Sequence, residues 1–281
     1  MAKKIRAAKI TSPSTLFLYA EQKIGKTTAC LQLEDAQVWD CHAGADAYSG
    51  PIEEITCYQD MLRIATENKK SKDYKVVVLD TTLDVVNMLA APAMKLYKES
   101  LSGQSLEKAK GQKWYEEFEK LDPNVVLSLV DFNKAQDAVL QTFIKLINYL
   151  KTCYEKIIFI AHSRLGSAQS EKNNLLVKEI DLPQKIREYV LRFSDQVCIA
   201  YREANEVVLD FTQIDEASKL GGRFSYLHDK KIVLSKLEKG KLDTFWYRVY
   251  PDIYNISEED LNNEIKEREE REEEDRRLLG K

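Results

Sequence analysis

Leu16-Phe-Leu-Tyr-Ala20-Glu-Gln-Lys-Ile-Gly25-Lys26-Thr27-Thr28 passes from an apolar, β-prone run through a polar turn into a helix-forming segment. It fits the phosphate-loop pattern G-x-x-x-x-G-K-[ST], with Ala20 where the first glycine belongs. In such a loop the backbone N–H groups, here those of Lys23, Ile24, Gly25, Lys26, Thr27 and Thr28, wrap a phosphate at a helix N-terminus. Lys26 is the residue that reaches the β- and γ-phosphates, and the Thr27 hydroxyl is the Mg²⁺ ligand. The methyl group of Ala20 restricts the backbone without removing a ligand.

A phosphate loop needs a second acidic group for the metal, at the end of another buried strand. Residues 75–80, Lys-Val-Val-Val-Leu-Asp, supply it. Asp80 completes the expected Mg²⁺ site, with Thr81 and Thr82 beside it. The simpler alternative is that Asp80 only caps the helix that follows.

Further apolar, β-rich runs lie at 15–19, 37–40, 156–161 and 196–201. Helical spacing separates them, at 26–33, at 59–67 and above all at 132–152, where Ala135, Val139, Phe143, Leu146, Ile147 and Leu150 form one stripe. Nearly continuous apolar strands alternating with helices predict an α/β fold, a mostly parallel sheet covered on both faces. Residues 197–201 and 206–211, joined at 203–205, predict an antiparallel hairpin at the sheet edge. Residues 95–125 are highly charged and read as a helical or partly mobile insertion. Residues 165–178, rich in Ser, Asn, Gln and Lys, predict a long exposed loop spanning about 163–180. The expected division is a basic arm at 1–12, an ATPase-like domain at 13–252 and an acidic helical tail at 253–281.

The 281 residues carry 42 Lys+Arg and 46 Asp+Glu, a net charge of −4, but 257–281 alone hold 11 acidic and 6 basic side chains. The body is therefore near neutral, which excludes a histone-like polycation and leaves room for a local basic surface. Apolar residues make up 44% of the chain, enough for a substantial core. The longest apolar runs, 76–79 and 157–161, are far shorter than the roughly 20 residues of a membrane span, so no membrane partner is expected. The apolar stretch 16–20 is too short for a signal-peptide core. Five cysteines with no C-x-x-C indicate neither a disulfide framework nor a zinc ribbon, and point to a reducing cytoplasm.

Lys23-Ile-Gly-Lys-Thr-Thr28, Val77-Val-Leu-Asp-Thr81, Ile158-Phe-Ile-Ala-His162 and Asp181-Leu-Pro183, in that order, resemble the phage-encoded RecA-like P-loop ATPases of the single-strand-annealing and recombination type, AAA-domain ATP-binding proteins. Asp195-Gln-Val-Cys-Ile-Ala-Tyr-Arg202 and Gly221-Gly-Arg-Phe-Ser-Tyr-Leu227 resemble the closing segments of that family, so the likeness spans about 13–250. It implies a RecA-like core, ATP with Mg²⁺, a homo-oligomeric ring or filament, single-stranded DNA as partner, and the cytoplasm of a bacterial host as location. By position, His162 looks like the sensor of the γ-phosphate, with a strand-end histidine as the plainer reading. Arg164, Lys172 and Lys178 look like DNA phosphate contacts on a mobile loop, and Arg223 like an arginine finger acting on a neighbouring subunit.

Two positions depart from the family. Its members place a Glu beyond the second strand to orient or deprotonate the attacking water, where this chain has His42. A neutral imidazole can serve as that base, and Asp40 or Asp46 can substitute if the loop turns differently. Gln184 follows Asp-Leu-Pro where Gly is usual, altering a turn. Ala20 and His42 also fit a second class of protein, a non-catalytic nucleotide-binding assembly or regulatory protein. The acidic tail is expected either to compete with DNA for basic surface or to dock a basic protein partner.

Overall fold

The computed structural model describes residues 12–42, 48–110, 136–169, 174–212, 221–257, 259–261, 263 and 266–267. Its apolar runs form the strands β1 (Thr15–Ala20), β2 (Ala36–Asp40), β3 (Ile52–Glu54), β4 (Val76–Asp80), β5 (Lys156–Gln169), β6 (Asn174–Ile180), β7 (Gln196–Glu203), β8 (Glu206–Asp210), β9 (Gly221–Gly222), β10 (Lys231–Glu238) and β11 (Lys241–Thr244). The helices are α1 (Lys26–Cys30), α2 (Tyr58–Ser71), α3 (Thr82–Met88), α4 (Ala90–Ser100), α5 (Gly103–Lys110), α6 (Gln136–Leu150) and α7 (Gln184–Phe193). Among the described residues no helix is long and apolar enough to cross a membrane.

The sheet runs β11-β10-β8-β7-β1-β5-β4-β2-β3, with β6 added to β5 and β9 to β7. From β3 to β7 the pairs on this path are parallel, and from β7 to β11 they are antiparallel. β5 lies between β1, which leads into the phosphate loop, and β4, which ends in Asp80. The fold is thus an α/β core of mostly parallel strands flanked by helices, with antiparallel strands at one edge.

Both faces of the central strands are buried, so period-2 alternation sorts their side chains into two cores. Phe17, Val77, Leu79, Ile157 and Phe159 pack with Met61 and Ile64 of α2, Phe143 and Leu146 of α6, and Val190 of α7. Leu16, Leu18, Val38, Val78 and Ile158 pack on the other face with Ala29 and Cys30 of α1 and with Trp246 and Tyr250. Trp246 donates its indole N–H to the Ala29 carbonyl at 2.7 Å, tying the C-terminal segment to the helix behind the phosphate loop.

The structure departs from the sequence expectations in two places. The stretch expected as an exposed loop at 163–180 is an antiparallel hairpin. β5 continues past His162 to Gln169 and pairs with β6 in a register running from Ser163↔Ile180 to Gln169↔Asn174. Its Ser-, Asn- and Gln-rich composition hides a ladder whose hydrogen bonds are made by the backbone, whatever the side chains. The β7–β8 hairpin forms, turning at Ala204 with φ 51°, yet it is not the edge of the sheet, because β10 pairs with β8 and β11 with β10. In the 95–125 insertion, α4 and α5 carry helix as far as Lys110, and the rest lies outside the described residues, as do the 1–11 part of the basic arm and most of the acidic tail.

Candidate nucleotide-binding site

At the C-terminal end of β1, Ala20 is fully buried, paired in register with His162 on one side and Ala200 on the other. The positive φ angles of the loop fall later, at Lys23 (61°) and Gly25 (101°). Gly25 is the N-cap of α1 in the left-handed region, the conformation that favours glycine. The loop therefore closes without a glycine at position 20.

Lys26 is almost fully buried and donates from Nζ to the Glu21 carbonyl at 2.6 Å. Thr27 Oγ1 donates to Asp80 Oδ2 at 2.5 Å. The two expected metal ligands thus converge, Thr27 from the first turn of α1 and Asp80 from the end of β4. Asp80 does not cap α3, whose N-cap is Thr81; the Thr81 hydroxyl donates to Asp84 instead.

The electrostatics of this pair suit a magnesium-bound nucleoside triphosphate. Burial pushes the Lys26 ammonium below the ordinary lysine value, against the pull of Asp80 and Cys30. Burial pushes the Asp80 carboxyl above the ordinary aspartate value, against the Thr27 hydrogen bond and the charges of Lys26 and His162. An anion beside Lys26 and a cation beside Asp80 would each favour the charged form of the group. Close by, Thr82 Oγ1 at the start of α3 and His162 Nδ1 are buried polar atoms without a hydrogen-bond partner among the described residues.

His162 sits on β5, half-buried, within electrostatic reach of Lys26, Asp80, Asp84 and His42. Burial, reinforced by Lys26, lowers its imidazole below the ordinary histidine value, so it is neutral at pH 7. His42 follows the tip of β2. Its backbone N–H donates to Asp40 Oδ1 at 3.0 Å, and its Nε2 lies 2.8 Å from Asp84 Oδ2. Asp84 stands in the first turn of α3 and is a site residue that the sequence reading missed. The signal was its i+4 spacing from Asp80, one helical turn into α3. Cys41, between the two, has its thiol pushed up by burial and by Asp84, Asp80 and Asp40, which makes it a poor metal ligand. Among the described residues no group of three or more His, Cys, Asp or Glu side chains is arranged to hold a metal by itself.

The remaining candidates are dispersed. Arg164 is exposed on the β5–β6 hairpin and pairs with Glu179 at 3.6 Å and Asp181 at 3.5 Å. Lys178 is on β6, and Lys172 and Asp46 lie outside the described residues. Gln184 opens α7 and donates to Glu188 Oε1 at 3.0 Å. Arg223 pairs with Asp195 at 2.8 Å, next to β9, which meets β7 at Gln196 and Val197. That is the edge of the sheet where β1 begins, opposite its own phosphate loop.

Fold and site together define a P-loop NTPase. The sequence matches the AAA domain family over residues 12–236, and the chain belongs to that family. Among solved structures, a KaiC-like protein from the hyperthermophilic archaeon Pyrococcus horikoshii OT3 is 12% identical, with 83% of this chain and 89% of that chain covered and a TM-score of 0.39. No curated protein matches the chain in sequence.

Proposed function

We propose that the protein binds and hydrolyses ATP and couples the nucleotide to single-stranded DNA, as a phage-encoded recombination, annealing or replication ATPase. The observation that carries the reading is the 2.5 Å approach of Thr27 Oγ1 to Asp80 Oδ2 beside the buried Lys26. Thr27 and Asp80 would hold Mg²⁺, which when bound neutralises phosphate charge. Lys26 binds the β- and γ-phosphate oxygens in place of the Glu21 carbonyl.

With Nε2–H directed to Asp84, the His42 imidazole keeps its Nδ1 lone pair free for a water molecule. As the water oxygen bonds to the γ-phosphorus, the bond from that phosphorus to the β,γ-bridging oxygen breaks, and the water proton passes to His42. ADP and phosphate leave, and the proton is returned to solvent or to the phosphate. His162, neutral and with an unpartnered Nδ1, serves as the hydrogen-bonding sensor of the γ-phosphate.

DNA coupling is supported by chain continuity, because the hairpin carrying Arg164 and Lys178 springs from the residue after His162. Arg223, on the edge opposite the phosphate loop, suits action on a neighbouring subunit in a ring or filament. The test is steady-state ATPase activity with and without single-stranded DNA, with Lys26→Ala as control, alongside salt-dependent binding of a labelled oligonucleotide. Turnover that depends on Lys26 and rises with DNA supports the reading. Nucleotide binding without Lys26-dependent turnover replaces it with a non-catalytic assembly or regulatory protein, and turnover without any DNA binding at low salt removes DNA as the partner.

A further inference from the structure

A cleft of about 630 Å³ opens where β4 and β5 begin, lined by Lys69, Lys72, Lys75 and Lys151, with Tyr74 and Glu155 among its other residues. We propose that this basic cleft is the docking site of the chain's own acidic segment 269–275. The inference is independent of the nucleotide reading.

Among the described residues the cleft has uncompensated positive charge. Lys75 is matched by Asp35 at 2.6 Å. Lys69 donates to the Thr152 hydroxyl at 3.0 Å and lies 5.5 Å from the Tyr149 ring centre. Lys151 lies 4.1 Å from the Phe193 ring centre. Neither of these two, nor Lys72, meets a carboxylate among the described residues, and Glu155 is the one acidic residue lining the cleft. Three ammonium groups facing one cavity attract an anion with several charges, and the attraction falls with salt.

The chain itself carries such an anion and delivers it to the spot. Segment 269–275 holds six carboxylates and one arginine, Glu-Glu-Arg-Glu-Glu-Glu-Asp. Before the tail begins, Asp252 pairs with Lys156 at 2.7 Å, one residue after Glu155 of the cleft, and is close enough to raise the pKa of Lys75. Two residues later the Tyr254 hydroxyl accepts the Glu34 N–H at 3.3 Å, next to the Asp35 that holds Lys75. The route into the tail thus follows the rim of the cleft. From Ser257 to Glu269 is a reach of about 18 Å as a helix, the state of the described residues 259–261, 263, 266 and 267, which spans a cavity of this size.

Tethering favours this occupant over free nucleic acid. A tethered segment acts at about millimolar effective concentration. The C-terminal ends of α2 and α6 face the same cleft, and their negative dipole ends oppose carboxylates and phosphates alike, so the preference between these anions comes from the tether. Docking would screen the cleft from other polyanions.

Zero-length carbodiimide cross-linking of the full chain at low salt, followed by peptide mass spectrometry, tests the proposal. The expected products are amide links from Lys69, Lys72 or Lys151 to carboxylates in 269–275. They should decrease severalfold at about 0.5 M salt, where the Debye length is about 4 Å, and in Lys69→Glu/Lys72→Glu/Lys151→Glu. Lys72→Glu alone, at an exposed position, should lower them if the triple variant does not fold. The Lys75–Asp35 pair is the internal control. Its link appearing without any from cleft to tail overturns the proposal. So do links found only between isotopically light and heavy chains in a mixture, which make a second copy the occupant. Shielding of the cleft lysines from acetylation by oligothymidylate, in a chain that shows no tail link, overturns it in favour of nucleic acid. None of these readouts depends on ATP turnover.

Discussion

His42 and Asp84, one beyond the tip of β2 and the other in the first turn of α3, meet at 2.8 Å between Nε2 and Oδ2. Thr81 donates to the same carboxylate, so Asp84 is held from its own helix and fixes the imidazole from the other side. If His42 is the base, His42→Asn should lower kcat by about 10²-fold and Asp84→Asn by about 10-fold, the size of effect seen when an orienting partner is lost. Nucleotide affinity should change little in either. His42→Glu, the residue of the family resembled, should retain turnover. Equal loss of binding and turnover in all three would assign the pair to structure alone.

Asp80 gives a pH test. Its folded value is raised by burial above the ordinary 3.8, so the folded state binds the proton more tightly than the unfolded one. Its contribution to stability is full below 3.8 and declines as pH rises through the folded value. Asp80→Asn keeps an acceptor for Thr27 and should melt higher than wild type at pH 7 without nucleotide, by about 2–4 °C per kcal/mol relieved. The difference should shrink towards pH 4. Added Mg²⁺ and ATP should raise the melting temperature of wild type and not of the variant.

Lys156 is a second buried charge far from the nucleotide site. Its ammonium reaches Ser12 Oγ at 2.6 Å and Asp252 Oδ2 at 2.7 Å, pinning the C-terminal segment to the start of β5. Lys156→Met should cost about 2 kcal/mol in urea denaturation, less than a fully enclosed pair because Asp252 reaches solvent. Burial opposes the Asp252 charge, but the hydrogen bonds from Lys156 and Ser12 overcome it and depress its pKa below 3.8. The stability gained is present above 3.8 and lost as pH falls through the depressed value. The gap between wild type and the variant should therefore narrow in acid.

Two glycines should respond very differently to alanine. A Cβ on Gly222 would lie 1.8 Å from Gln196 Oε1 and 2.3 Å from the Asp195 carbonyl oxygen. Gly222→Ala should therefore displace β9 and the adjoining Arg223–Asp195 pair at a cost of about 3 kcal/mol. Gly240, in the β10–β11 turn at φ 80°, has nothing within 4 Å of its added Cβ, so Gly240→Ala should cost about 1 kcal/mol from backbone conformation alone. Thermal melting of the two variants distinguishes packing from strain.

The central strands and the phosphate loop were legible because burial on both faces demands apolar runs, and because Gly25-Lys26-Thr27 and Asp80 end two of them. The β5–β6 hairpin was not, since a ladder built from backbone groups leaves no apolar signature in Ser-Ala-Gln or Lys-Asn-Asn. Asp84 was hidden for another reason. Its importance comes from His42, distant in sequence, and only the parallel pairing of β2 with β4 brings their tips together. Likewise, α2 ends in lysines as helix C-termini commonly do, and nothing local to 69–75 says that Lys151 shares their cleft. The placement of Arg223 opposite its own phosphate loop depends on the long-range pairing of β9 with β7, which two glycines cannot announce.

β5 is one uninterrupted strand of 14 residues, clamped by β1 and β4 over its first half and paired only with β6 beyond His162. The second half joins the first at the histidine of the candidate nucleotide site. Seven residues past His162 extend about 23 Å at strand rise, so a tilt of about 5° at that residue would carry the tip through about 2 Å. Displacement from any tilt of β5 at His162 would therefore be larger at the far end of the hairpin than at the phosphate edge, in proportion to strand length.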